Sequence, residues 1–128
     1  MRATYAQIDL SAIAHNVSLV KQNAGQAEMM AVVKADAYGH GAIPVARTAL
    51  ENGANWLAVA TAEEAEELRD AGFVCPVLVL GALDEEDCAL CVARGISVSV
   101  SNAEQLCWMH QAAERENTAA KAHLKIDT

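Results

Sequence analysis

The sequence predicts an α/β fold built on a parallel sheet, and three observations predict it. Short apolar runs alternate with helical patterns, so that strand ends fall near residues 34, 60, 80, 100 and 127. Glycines at positions 25, 53, 72 and 95 stand where the intervening helices should stop. Each strand-like run is nearly all apolar, so both faces of the sheet should be covered and the strands should be parallel with right-handed crossovers. A doubly wound open sheet and an eight-stranded βα barrel both satisfy this pattern.

Taken in order, Thr4 to Ile8 reads as a short strand closed by Asp9, which can cap the following helix. That helix should run to about Ala24, because Leu10, Ile13, Val17 and Val20 recur at near-helical spacing, leaving His15 and Asn16 toward solvent. Met29 to Val33 is the next strand; a glycine-rich turn follows, then a helix over 42–52 that tolerates Pro44 in its first turn. Trp56 to Ala60 is a strand, and Thr61-x-x-Glu64 forms a capping box that starts a helix ending at Gly72. Val77 to Leu80 is another strand, Asp84 can cap a helix stopping at Gly95, and Ile96 to Val100 is the strand after it. Ser101-x-x-Glu104 repeats the capping-box logic for a helix to about Glu116, and His123 to Asp127 reads as a fifth strand.

The 128 residues are of single-domain size, and a hydrophobic content of 53% excludes a disordered tail. A net charge of -8 argues against nucleic acid and against an anionic membrane surface. No apolar run reaches membrane-spanning length and no leader pattern opens the sequence, so the expectation is a soluble, cytoplasmic protein. The four cysteines in so apolar a chain fit reduced thiols better than a disulfide framework.

The chemistry concentrates in Ala31-Val-Val-Lys-Ala-Asp-Ala-Tyr-Gly-His-Gly-Ala42, where a lysine ends an apolar strand before a turn rich in glycine. An amine delivered to the edge of an apolar site loses its proton more readily than a solvated one, and an unprotonated amine is what carbonyl condensation requires. By itself the pattern also fits a lysine that merely snorkels out where a strand surfaces. The string Val32 to Gly41, however, resembles the pyridoxal-phosphate attachment signature of the alanine racemase family, and the likeness continues through Ala46-Arg-Thr-Ala-Leu-Glu-Asn-Gly-Ala54 and Val77-Leu-Val-Leu-Gly-Ala82.

That resemblance implies a TIM-type (β/α)8 barrel, of which residues 1–128 would supply about five of eight strands, a full barrel needing about 250 residues. The remaining barrel strands and a C-terminal β domain would lie outside these residues, and the open strand edges should make the isolated chain self-associate. It further implies a racemase of a small amino acid, alanine foremost, that supplies D-alanine for cell-wall peptidoglycan and works as a homodimer. Lys34 looks like the cofactor-attachment lysine and one of two proton-transfer bases, Tyr38 like the tyrosine on the cofactor phosphate, and Leu80 like the apolar neighbour of the cofactor ring. Lys125 matches a lysine that in some relatives carries a carbamate; an ordinary lysine is expected here, because its arginine partner lies outside Lys125-Ile-Asp-Thr128. The opposite-face base of the family is a tyrosine of the partner subunit's C-terminal domain, so the 128 residues alone should show little activity. Alternatives are a pyridoxal-phosphate-binding module without turnover and a serine racemase domain.

Two further patterns invite a site. Cys88-x-x-Cys91 with Cys107-x-x-His110 imitates zinc-ribbon spacing, yet both pairs lie within predicted helices. Cys88, Cys91 and Val92, and then Leu106, Cys107 and His110, should fall on apolar stripes, so core packing is the better account and no metal is expected. Gly39-His-Gly41 could form an anion nest but reads first as a turn, and Glu63, Glu64, Glu66 and Glu67 read as a solvated helix face.

Overall fold

The structure, a computed structural model, describes residues 3–128. Its elements are α1 (Leu10–Ala24), β1 (Met30–Val32), α2 (Lys34–Gly39), α3 (Ala42–Glu51), β2 (Trp56–Val59), α4 (Ala62–Asp70), β3 (Val77–Val79), α5 (Glu85–Ala93), β4 (Ser97–Val100), α6 (Ala103–Glu116) and β5 (Ala122–Leu124). The strands form one sheet in the order β1-β2-β3-β4-β5, every pairing parallel.

Sequential order decides between the two architectures. Right-handed crossovers that always advance in one direction leave every helix on the same face, whereas a doubly wound sheet must reverse direction once. The chain is therefore of the (β/α)-barrel class. Register separates the two faces: Leu57, Val59, Val77, Val79, Val98 and Val100 point under the helices and are buried with Leu68, Cys91 and Met109. The opposite parity gives the concave face, with Met30 and Val32 beside Trp56 and Ala58, then Leu78, Ser97, Ser99 and His123. Trp56 and His123 meet edge to face with ring centroids 5.5 Å apart, although β3 and β4 lie between their strands. The sheet thus curls toward itself.

The expectation that both faces are covered holds only for the central strands. Val32, on the concave side of β1, is 53% exposed, since no layer packs on that side among the described residues. Thr4 to Ile8 forms no strand; a strand needs a ladder partner, and this segment has none among the described residues. Asp9 does cap α1, its Oδ1 accepting from the N–H groups of Ser11 (2.9 Å) and Ala12 (3.1 Å). The stripe of α1 is rotated from the one expected. Ile13 and Val17 are half-buried, while Leu10 and Val20 are exposed because, among the described residues, it is chiefly α3 that packs against this helix.

Both Thr61/Glu64 and Asp84/Asp87 form capping boxes. The start of α6 differs from the reading of Ser101 as its cap: Asn102 caps it, accepting from Gln105 N–H at 2.9 Å. Buried Gln105 reaches back instead, its Oε1 accepting from Ser101 N–H at 3.0 Å. The core face of the helix is Gln105, Met109, Ala112 and Ala113, and Leu106, Cys107 and His110 are exposed. The cysteine pairs consequently do not converge: Cys88 and Cys91 are buried in α5, and Cys107 stands on the outer face of α6. Among the described residues no three His, Cys, Asp or Glu side chains gather as metal ligands would. β5 is shorter and earlier than expected, because only Ala122 to Leu124 pair with β4.

Candidate active site at the strand ends

Lys34 stands two residues after Val32, the last residue of β1, at the C-terminal end of the sheet, where barrel sites are built. It is half-buried. The expected glycine turn is present, with Gly39 at φ 80° and Gly41 at φ 89°, but a different turn lies between it and the lysine. Ala35, Asp36, Ala37 and Tyr38 have φ of 51–53° and ψ of 41–48°, a left-handed helical turn made of four non-glycine residues. At about 1–2 kcal/mol per residue, that conformation costs roughly 4–8 kcal/mol relative to a right-handed one. Strain of this size persists only where surrounding contacts over-determine it.

Those contacts are visible. Ala37 N–H donates to Val33 O at 3.0 Å and Gly41 N–H to Asp36 O at 3.0 Å, while Val33 N–H is held by Ala58 O at 2.8 Å. Asp36 Oδ1 accepts from Ala42 N–H at 2.7 Å, tying the turn to the start of α3. His40 Nδ1 lies 2.9 Å from Ala37 O and 3.2 Å from Tyr38 O, so the tautomer protonated at Nδ1 donates to the turn's carbonyls. Glu64 reaches across from α4: its Oε1 accepts from Ala35 N–H at 2.6 Å, and its Oε2 accepts from Ala60 N–H at 2.7 Å and Thr61 N–H at 3.2 Å. The left-handed twist brings Tyr38 back to the lysine, with Lys34 Nζ 6.0 Å from the Tyr38 ring centroid.

Leu80 directly follows β3, its N–H donating to Val59 O at 2.8 Å. Next to it, Gly81 is forced to be glycine by close approach: a Cβ there would lie 2.3 Å from Ala60 O. Leu80, Ser99, Ser101, Lys125 and Asp127 line one open depression on the concave rim. The four candidates therefore fall into two clusters at the same end of the sheet, Lys34 with Tyr38 and Leu80 with Lys125. Lys125 is exposed, its backbone N–H donating to Val100 O at 2.8 Å.

The sequence reading missed Glu64, Asp36 and His40 as parts of the site, and Ser99, Ser101 and Asp127 as its rim. Glu64 had a legible signal as the last position of a capping box, but its second bond to Ala35 is a contact between elements and leaves no local trace.

A primary amine near a phenol, with a second cluster of leucine and serine hydroxyls at the same end of the sheet, fits a carbonyl cofactor with an anionic tail: an amine can condense, hydroxyl groups can bind oxygen and a leucine can meet an aromatic face. Fold and site together define a protein of the (β/α)-barrel class that carries a half-buried lysine directly after the first sheet strand. The family described as "Alanine racemase, N-terminal domain" matches residues 8–128, and the chain belongs to that family. An alanine racemase of Methanococcus maripaludis is 44% identical over 97% of this chain and 34% of its own length. The crystal structure of alanine racemase from D-cycloserine producing Streptomyces lavendulae superposes with a TM-score of 0.93 at 40% identity, covering 99% of this chain and 34% of that one. Histidine racemase from Leuconostoc mesenteroides superposes with a TM-score of 0.81 at 31% identity over 90% of this chain and 31% of that one. The chain thus spans about a third of the length of the relatives it matches.

Proposed function

We propose that the chain is the lysine-bearing part of a pyridoxal-phosphate-dependent racemase of a small amino acid, alanine foremost, that works in the cytoplasm as a homodimer. The observation that carries this reading is Lys34 set at the C-terminal end of the sheet with Tyr38 folded back toward it by a left-handed turn. The name alanine racemase, borne by relatives over nearly the whole of this chain, supports the substrate. Among the described residues no helix is long and apolar enough to cross a membrane.

When bound, pyridoxal phosphate supplies an electron-withdrawing ring that acidifies the α C–H of the amino acid joined to it. The residues of this chain do the rest that falls to them. Lys34 would hold the cofactor through its Nζ and would serve as the base that moves a proton at the substrate's α-carbon on one face. Tyr38 binds the cofactor phosphate through its hydroxyl, and Leu80 presents an apolar surface to the ring. Inversion needs a second base on the opposite face, and the proposal assigns that base to the partner subunit. Lys125 remains an ordinary lysine on the rim. A histidine racemase shares this part of the fold. The proposal therefore places selection of the substrate side chain outside the Lys34 cluster.

The test is borohydride reduction after loading with pyridoxal phosphate, followed by peptide mapping. The label is expected on Lys34 and is lost in Lys34→Ala. Labelling spread over surface lysines, or none, would refute the assignment. Exchange of the α-hydrogen of alanine with deuterated water, measured on the same preparation, separates a racemase from a module that holds the cofactor without turnover.

A further inference from the structure

Glu64 does more than cap a helix. One carboxylate accepts three backbone N–H groups from two places: Ala60 and Thr61 at the end of β2, and Ala35 in the first residue after the reactive lysine. A capping box needs only the bond to Thr61 N–H, which at 3.2 Å is the longest of the three. The two shortest, at 2.6 and 2.7 Å, lie outside that motif and join β1's turn to the end of β2. Among the described residues Ala35 N–H has no other acceptor, since the bonds that close the turn begin at Ala37. The residue it fixes is the first of the four left-handed ones.

From this geometry we infer that Glu64 is a positioning residue for Lys34, its carboxylate acting as a latch that holds the left-handed turn and thereby the mutual placement of Lys34 and Tyr38. The chemical requirement is specific. Both oxygens face donors, so a carboxylate satisfies the site, whereas a glutamine must turn its amide NH2 toward either Ala35 N–H or the Ala60 and Thr61 N–H groups. An aspartate is one methylene too short to span both. Thr61 provides the control, because its hydroxyl accepts from Glu64 N–H at 3.2 Å and belongs to the cap alone. The inference rests on the proposed role of Lys34 for its catalytic meaning, though not for its structural content.

The experiment compares wild type, Glu64→Gln, Glu64→Asp and Thr61→Ala by amide hydrogen exchange and by the rate at which added pyridoxal phosphate becomes reducible onto Lys34. In wild type the Ala35 amide, though its residue is exposed, should be protected comparably to the paired amides of β1. Loss of a charge-assisted bond should speed exchange over Ala35 to Tyr38 by about tenfold or more in both Glu64 variants. The rate of attachment at Lys34 should fall with it. Thr61→Ala should lower thermal stability through the cap yet leave both readouts within about twofold of wild type. An unprotected Ala35 amide in wild type overturns the latch without any variant, even if Glu64→Gln does not fold. Equal effects of Glu64→Gln and Thr61→Ala, at matched loss of stability, would reduce Glu64 to a cap and also overturn it. If wild type takes no label on Lys34, the functional reading fails while the exchange data still decide the latch.

Discussion

Ala35 is exposed and sits at φ 51°, ψ 48°, so its side chain contributes strain without compensating burial. Replacing it by glycine should therefore stabilise the protein, the reverse of what alanine-to-glycine changes do in ordinary helices. Relief of the left-handed conformation is worth about 1–2 kcal/mol, and the added freedom of glycine in the unfolded chain takes back about 0.5–1 kcal/mol. The net gain is about 0.5–1 kcal/mol. With an unfolding entropy of about 2.1 cal/mol/K per residue, a chain of 128 residues changes its midpoint by about 4 °C per kcal/mol, so Tm should rise by about 2–4 °C. The control is Ala12→Gly in the right-handed helix α1, where Ala12 is also exposed; it should lower stability by about 0.5–1 kcal/mol. Thermal melts followed by circular dichroism, with urea titrations to confirm the sign, measure both. A fall in Tm for Ala35→Gly comparable to that for Ala12→Gly would show that the turn is not left-handed in solution, and the account of how Lys34 and Tyr38 are brought together would fall with it.

Gly81→Ala should destabilise by about 1–3 kcal/mol, because its methyl group meets the carbonyl of Ala60 and neither backbone can retreat without breaking the bond between Gly81 N–H and Ala60 O; a melt within 1 °C of wild type, on the order of a few tenths of a kcal/mol, would contradict it. Arg69 donates to the carbonyls of Phe73, Cys75, Arg94 and Gly95, joining the loops that follow α4 and α5. Its replacement by alanine should cost about 2–3 kcal/mol, read from urea titrations. Burial pushes the Cys88 thiol up to about 11 and the Cys91 thiol up to about 12. The folded state therefore holds both protons more tightly than the unfolded chain, so this contribution to stability is complete below about pH 9 and is lost as pH rises toward about 12. Cys91→Ala should make the fall in unfolding free energy across that window shallower; an unchanged slope would count against the burial of Cys91. In the native protein at neutral pH, alkylating reagents should reach exposed Cys107 before either of them.

The expectations that held rest on local chemistry. Asp9, Thr61 with Glu64, and Asp84 start their helices where the sequence placed them, because a cap is settled among neighbours three residues apart. Capping also shows how a local rule fails. Ser101 and Asn102 are both competent caps, and Asn102 prevails where Gln105 is buried by the packing of α6 on the sheet. The same packing leaves Leu106, Cys107 and His110 outside the core and puts Met109 in it. The stripe of α1 misled for a related reason: apolar spacing defines a face but not which neighbour covers it.

By itself the sequence determined the alternation of strand and helix, the parallel sheet, and the position of Lys34 at the end of the first sheet strand, since these follow from apolar runs, caps and glycine stops read within short windows. Its family string also pointed to the chemistry. Only the tertiary structure decided that the strands advance in a single direction around one concave face, because a parallel pattern is common to both architectures until the order of the strands is known. It alone decided the hand of the turn after Lys34 as well. Nothing in Ala-Asp-Ala-Tyr prefers a left-handed helix, and the conformation exists because the Val33 carbonyl after β1, the Ala42 N–H of α3 and the Glu64 carboxylate of α4 hold it from outside.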